Sequence, residues 1–382
     1  MLTCQKDLFS LPDDLHYLNG AYMSPLSKAV EAGGIRGIAQ KAVPSRIRPD
    51  DFFSHTHQAR ERFATLINAD PQRVAIIPAA SYGISTVARN LNPQPGQHIV
   101  ILHEQFPSNV YPWRAFREHG VQLTTVAPSG PGERGKQWND NILEAITTDT
   151  AVVALGHVHW TDGTRFDLET IGQRARDVGA ALIIDGTQSV GALPFDVQQF
   201  RPDALIVAGY KWLMGPYGIG LAYYGERFDH GTPIEDNWVT RQGSEDFSRL
   251  ADYRDGYAPG AVRFDVGERS NPILIPMLVQ AMDDVLDRGV SRIQDYCADL
   301  VRNVLPEICD LGYQVEDEAW RASHILGLRL PQHVSLERLN EALSQQNVIV
   351  SVRGDAVRVS PNVYNDQSDM EALVEALRQA RP

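Results

Sequence analysis

Cysteine is scarce in this chain. Cys4, Cys297 and Cys309 are the whole complement, too few and too scattered for a disulfide framework or a thiolate zinc site. The expectation is a cytoplasmic protein, kept in a reducing compartment, with no bound metal. No apolar run approaches the roughly 20 residues that span a bilayer. The opening stretch, MLTCQKDLFSLPDDLHYLNG, lacks the basic start and apolar centre of a signal peptide. Basic blocks are missing as well, and 48 acidic residues outweigh 35 basic ones for a formal charge of −13, so neither nucleic acid nor membrane is an expected partner. No Gly-x-Gly-x-x-Gly follows the first apolar run, which argues against a Rossmann nucleotide site. Repeats and low-complexity segments are absent. What is present is 382 residues, 43% of them apolar, enough to bury a large core and to build two domains.

The most informative stretch is ALIIDGTQSVGALPFDVQQFRPDALIVAGYKWLMGPYGIG, Ala181 to Gly220. Two apolar runs, Ala181 to Ile184 and Ala204 to Ala208, have the length and β-branched content of buried strands. The first ends on Asp185 and the second leads into Gly209-Tyr210-Lys211-Trp212. Ligands of open α/β sheets sit at this carboxyl edge. A carboxylate on one strand tip and a lysine after another suit a cofactor carrying a pyridine nitrogen and an aldehyde, namely pyridoxal 5'-phosphate. Lys211 is the expected Schiff-base lysine and proton carrier. Asp185 is the expected partner of the ring nitrogen.

Further strands are expected over residues 74–77, 98–102, 121–126 and 151–155, alternating with helices over 51–68, 140–146 and 167–178. The last of these is capped by Gly179. A helix is also expected from the Pro25 region through Ala42, and a Gly/Pro-rich turn over 128–135. This βαβ alternation predicts an α/β protein with a mostly parallel, doubly covered sheet. Between the strand at 74–77 and its helix lie Pro78-Ala79-Ala80-Ser81. Small residues at a helix start let free N–H groups approach an anion, and Ser81 is also a natural N-cap. A polar excursion over 225–260 carries Trp238. Two helices, 273–288 and 290–305, lead to short strands near 313–315, 324–330, 348–352 and 356–359, then to a closing helix from Ser368. The expected organisation is an N-terminal segment 1–20, a large cofactor-binding domain 21–255, a connecting segment 256–276 and a small α+β domain 277–382.

Asp185-Gly186-Thr187-Gln188-Ser189 and Tyr210-Lys211-Trp212-Leu213-x-Gly215-Pro216 stand at the spacing of a known group. From about Tyr17 to Asp369 the chain resembles the class V aminotransferase family, with its cysteine desulfurases, kynureninases and isopenicillin N epimerase-like members. The resemblance implies the aspartate aminotransferase-like fold (fold type I). It places Ala80, Ser81 and Tyr210 at the cofactor phosphate and Gln188 at the phenolic oxygen. Phe106, in Phe106-Pro107-Ser108-Asn109, stands where desulfurases stack a histidine on the ring. A phenyl face can stack but cannot move a proton. His159 and Trp160 align with positions facing cofactor and substrate, and Asn19 and Ala21 with an N-terminal segment lining the substrate pocket. Arg358, within Asp355 to Pro361, matches the arginine that grips a substrate carboxylate, with Arg353 as the competing candidate. The turn holding Ser270 resembles one that reaches the neighbouring subunit's phosphate, which implies a homodimer with shared sites. NVIVSVRG, residues 347–354, contains no cysteine where desulfurases carry their nucleophile. Cys297 and Cys309 read as buried fillers. The expected activity is aminotransfer on a small α-amino acid through a Lys211 Schiff base and a carbanion at Cα. A lyase (C–S or kynureninase-like) or an amino-acid epimerase is the alternative. A non-catalytic cofactor-bound partner protein would not need Lys211, Asp185, Gln188 and Arg358 together.

Overall fold

The computed structural model describes residues 2–130, 133–353 and 356–381. The middle of the turn expected over 128–135 and Asp355 of the arginine motif lie outside the described residues. In chain order the strands are β1 (His16–Tyr17), β2 (Val74–Ile77), β3 (His98–Leu102), β4 (Gln122–Val126), β5 (Thr150–Gly156), β6 (Ala181–Asp185), β7 (Ala204–Ala208), β8 (Gly220–Tyr224), β9 (Leu326–Arg329), β10 (Val348–Ile349), β11 (Ser351–Arg353) and β12 (Ala356–Val359).

Strands β2 to β8 form one sheet in the order β2-β8-β7-β6-β5-β3-β4. β3 to β7 pair in parallel, whereas β8 runs antiparallel to both β7 and β2. The exception has a local cause. The connection from β7 to β8 contains no helix, and a parallel return needs a crossover long enough to hold one. One face buries Phe63, Val100, Leu155, Leu182 and Leu278 beneath helices at 54–67, 134–145, 168–177 and 274–288. The other buries Ile84, Ile99, Trp113, Ile183 and Phe264. Apolar on both faces, these strands lack polar alternation, as covered strands do. The tips of β2, β3, β5, β6 and β7 therefore emerge at one edge.

The C-terminal portion packs β11-β12-β9 antiparallel around Leu300, Ile308, Leu328, Val357 and Leu373. Several expectations need correction here. The N-terminal segment 1–20 is not separate from the small domain: β1 pairs in parallel with β10, and Leu18 is buried in the C-terminal core. The run expected over 348–352 breaks at Val350, and its halves join different sheets. Around 313–315 only a single bridge forms, between Gln314 and Arg329. The helix expected to end at 305 continues through Pro306 to Asp310, and that expected from 140 starts at Arg134. Ser27, not the Pro25 region, starts the first long helix, accepting from Val30 N–H. Cys297 is buried as expected, but Cys309 is exposed. Among the described residues no helix is long and apolar enough to cross a membrane.

Candidate active site

At the strand tips lies a cavity of about 230 Å³, bordered by Asp185, Gln188 and Lys211. Lys211 follows β7 on a turn closed by Gly215 N–H donating to the Gly209 carbonyl. That turn presses the Trp212 carbonyl against Gly191, whose φ of +105° and lack of a Cβ both fit the contact. Lys211 is only 7% exposed. No hydrogen bond or ion pair holds its ammonium among the described residues, and Nζ lies 5.5 Å from the Phe106 ring centroid. Burial, reinforced by Arg358, lowers its pKa from 10.5 to about 8. A lysine so placed is neutral for a useful fraction of molecules near physiological pH.

Asp185 accepts from Thr187 N–H at 3.0 Å. Burial raises its pKa, while Thr187 and Lys211 oppose the rise. A buried carboxyl with so few donors is short of a cationic partner. Gln188 is fixed at both ends: Nε2 donates to the Ala21 carbonyl at 3.1 Å and Oε1 accepts from Trp212 Nε1 at 2.9 Å. One Nε2 hydrogen is left for a ligand. Beneath it His324 Nε2 donates to the Gln188 carbonyl at 2.8 Å. Burial holds His324 neutral, with a pKa of about 4.

The helix Ala80–Arg89 points its N-terminus into the cavity. Its cap is Ala79, with no side-chain cap bond, so Ser81 is not the N-cap expected from its type. Ala79 supplies the accepting carbonyl for Tyr82 and Gly83 N–H. The N–H groups of Ala80 and Ser81 have no protein acceptor among the described residues, and these free donors with the helix dipole suit an anion. Tyr210 also lines the cavity, packed 4.7 Å from the Tyr217 ring.

Phe106 is no core aromatic: it is 38% exposed, faces the cavity and meets Trp160 edge-on at 5.4 Å. His159 reaches the cavity with both nitrogens engaged, Nε2 with the His103 carbonyl at 3.2 Å and Nδ1 with the Thr161 hydroxyl at 2.7 Å. Trp160 donates to the Glu104 carbonyl and, through its own carbonyl, accepts from Arg358 Nη1 at 2.7 Å. Arg358 is 1% exposed, its Nε has no acceptor, and no carboxylate pairs with it among the described residues. Burial and the neighbouring Arg353 lower its pKa to about 10. Asn19 accepts from the Ser351 hydroxyl, and Ala21 N–H donates to the Ser360 hydroxyl. These two stand behind the cavity and do not line it. Ser270 is elsewhere, in a second cleft beside Phe52 and Trp238.

Residues that sequence reasoning passed over are Thr187, whose hydroxyl also accepts from Ala208 N–H, and Tyr217 of the Gly-Pro-x-Gly-x-Gly turn. Thr187 could have been found from its place two residues after Asp185. The donor set fits pyridoxal phosphate: a free helix end for a phosphate, a phenyl face for a ring, a buried acid for a cationic nitrogen and an unpartnered lysine for an aldehyde.

Comparison with known proteins agrees. Residues 48–373 match the family model for class-V aminotransferases. The uncharacterized aminotransferase YcbU of Bacillus subtilis is 28% identical over 328 residues, 84% of this chain and 83% of that protein. Isopenicillin N epimerase of Streptomyces clavuligerus is 24% identical over 84% of this chain and 83% of its own length. Among solved structures, the cysteine desulfurase of Thermococcus onnurineus NA1 superposes with a TM-score of 0.81 at 21% identity, covering 98% of this chain and 97% of that one. The cystine C–S lyase C-DES superposes at 0.84 with 18% identity, covering 97% and 99%. The fold is that of fold-type I pyridoxal-phosphate-dependent transferases, and the chain belongs to the class-V aminotransferase family.

Proposed function

We propose that the protein is an aminotransferase acting on a small α-amino acid. As a member of its family it is a pyridoxal-phosphate-dependent enzyme. When bound, the cofactor supplies an aldehyde for an amine and an electron-withdrawing ring for the substrate Cα. Asp185 would hold the ring nitrogen, Ala80, Ser81 and Tyr210 the phosphate, Gln188 the phenolic oxygen and Phe106 the ring face. Arg358 would take the substrate α-carboxylate, which meets the need of a buried guanidinium with an unsatisfied Nε.

One observation carries the choice of reaction. Lys211 lines the cavity, has no hydrogen-bond or ion-pair partner among the described residues and has a pKa of about 8, so it would take the Cα proton and carry it along one face only, as amino transfer requires. Among the described residues no second free base supports a two-sided exchange: His159 has both nitrogens engaged, and burial raises the pKa of the Tyr210 hydroxyl. Epimerisation by two opposed bases is disfavoured accordingly. No cysteine lines the cavity, so a desulfurase reaction that leaves a persulfide on the enzyme lacks its nucleophile. The assembly we propose is a homodimer, with Ser270 of one subunit serving its partner. Its place in a cleft apart from its own Lys211 supports that reading.

The test is transfer of ¹⁵N from a labelled amino acid to a 2-oxo acid by the holoenzyme. Label appearing in the acceptor, and lost in Lys211→Ala, is expected. Release of ammonia with pyruvate and no labelled product would make the enzyme a lyase. Solvent deuterium entering Cα of both enantiomers would make it an epimerase.

A further inference from the structure

A second arginine stands with Arg358 against Trp160, which lines the cavity. In the β11–β12 pair, Ser351 stands opposite Arg358 and Arg353 opposite Ala356. Arg353 and Arg358 are thus diagonal neighbours on one face, with roots about 7–8 Å apart. Both meet Trp160: Arg358 donates to its carbonyl, and the Arg353 guanidinium lies 5.6 Å from its ring centroid. Both act on Lys211 as nearby positive charges. Arg353 Nη1 donates only to its neighbour's carbonyl, at Val352. Its Nε is buried with no acceptor, and no carboxylate pairs with it among the described residues. Stacking on Trp160 satisfies the face of the guanidinium and leaves its Nε–H without an acceptor among the described residues.

Charge balance sharpens the point. In the loaded site Asp185 is matched by the ring nitrogen and the helix end at Ala80 by the phosphate. The α-carboxylate neutralises Arg358. One cation then remains beside Trp160, with its Nε–H lacking an acceptor among the described residues. We propose that Arg353 is a second anion clamp and that the substrates are amino acids carrying an additional carboxylate on the side chain. The proposal rests on the reading of the site as one for α-amino acids. Arg353 is here a specificity residue: it would bind the distal carboxylate and take no part in moving protons.

The test is binding to the holoenzyme by calorimetry, with maleate and propionate as probes. Maleate should bind about ten- to a hundredfold more tightly than propionate, the range for a charged hydrogen bond. Arg353→Gln should collapse that ratio towards one while leaving propionate binding unchanged, which also reports an intact site. Arg353→Lys should restore part of the ratio, as a point charge without a fork. Equal affinities in the native protein, or a ratio that survives Arg353→Gln, would overturn the proposal. Aspartate against alanine in the ¹⁵N assay separates the two readings. Equal transfer from both leaves the aminotransferase standing and removes the clamp. A maleate preference without any transfer keeps the clamp and removes the aminotransferase.

Discussion

Replacing Lys211 by Met should stabilise the cofactor-free protein. The ammonium of Lys211 is buried without a partner, and its pKa falls from 10.5 to about 8. At about 1.4 kcal/mol for each tenfold change in an ionisation equilibrium, carrying that charge in the folded state costs about 3 kcal/mol at pH 7. Methionine keeps most of the side-chain volume and is apolar, and no hydrogen bond is lost with the amine. The pH dependence identifies the cause. Below pH 8 the lysine is charged in both folded and unfolded chains, so the penalty is fully present. Between pH 8 and 10.5 the unfolded chain binds more protons than the folded one, and the native protein gains stability as pH rises. The advantage of Lys211→Met should therefore be constant below pH 8, shrink from there and vanish above 10.5. Urea unfolding of both cofactor-free proteins at several pH values measures it. A variant no more stable than the native protein at pH 7, or an advantage undiminished in strong alkali, would refute the account of a desolvated, unpartnered amine. In the loaded protein the order should invert, since the cofactor stabilises only the chain that holds it.

The rate at which added pyridoxal phosphate becomes linked to the protein should rise with pH as Lys211 loses its proton, and flatten above about 8. Stopped-flow absorbance would record this, and a rate independent of pH between 6 and 9 would contradict it. Arg358→Gln should cost about a hundredfold in kcat/KM for every amino acid, the upper range for a hydrogen bond to a charged group, with the bound-cofactor absorbance retained. Gly37 packs so that an added Cβ would overlap the Pro272 carbonyl and the Ile273 backbone. Gly37→Ala should thus destabilise by about 1–3 kcal/mol, visible as a lower Tm in thermal unfolding. Alkylation of the exposed Cys4 and Cys309 should leave turnover within about twofold of the untreated enzyme. Cys297 is buried with its thiol pushed up to about 12 and should resist the reagent.

Much of the site was legible because the chemistry sits at strand tips, and buried strands announce themselves as β-branched runs. Asp185 and Lys211 share an edge because β6 and β7 are parallel neighbours, with Asp185 level with Ile206. That follows once both runs are read as strands. Ser81 shows where type-based reading stops. Serine is a good cap, yet the extended backbone of Ala79 places the helix start earlier, and a serine inside the first turn is free to face a ligand. His159 was visible as a strand-end histidine. Its engagement with Thr161 and the His103 carbonyl depends on loop geometry that no spacing encodes.

What stayed hidden is the part built from contacts between distant segments. β1 is two residues long and is a strand only because β10 lies beside it. The same strap then bonds Asn19 to Ser351, Ala21 to Ser360 and the Ala21 carbonyl to Gln188. One short segment thereby ties the strands bearing Arg353 and Arg358 to the sheet edge bearing Asp185 and Lys211. Flanking residues favoured Arg358 over Arg353, but they could not show that the two arginines are neighbours across one strand pair. The Ser351–Arg358 register turns both to one face. A shift of one residue between the two strands would have put them on opposite faces. The placement of the two arginines is set by strand register, a long-range property, whereas the edge bearing Asp185 and Lys211 is set by local sequence. That division explains why a cofactor could be read from the chain while the pairing of the two arginines needed the folded molecule.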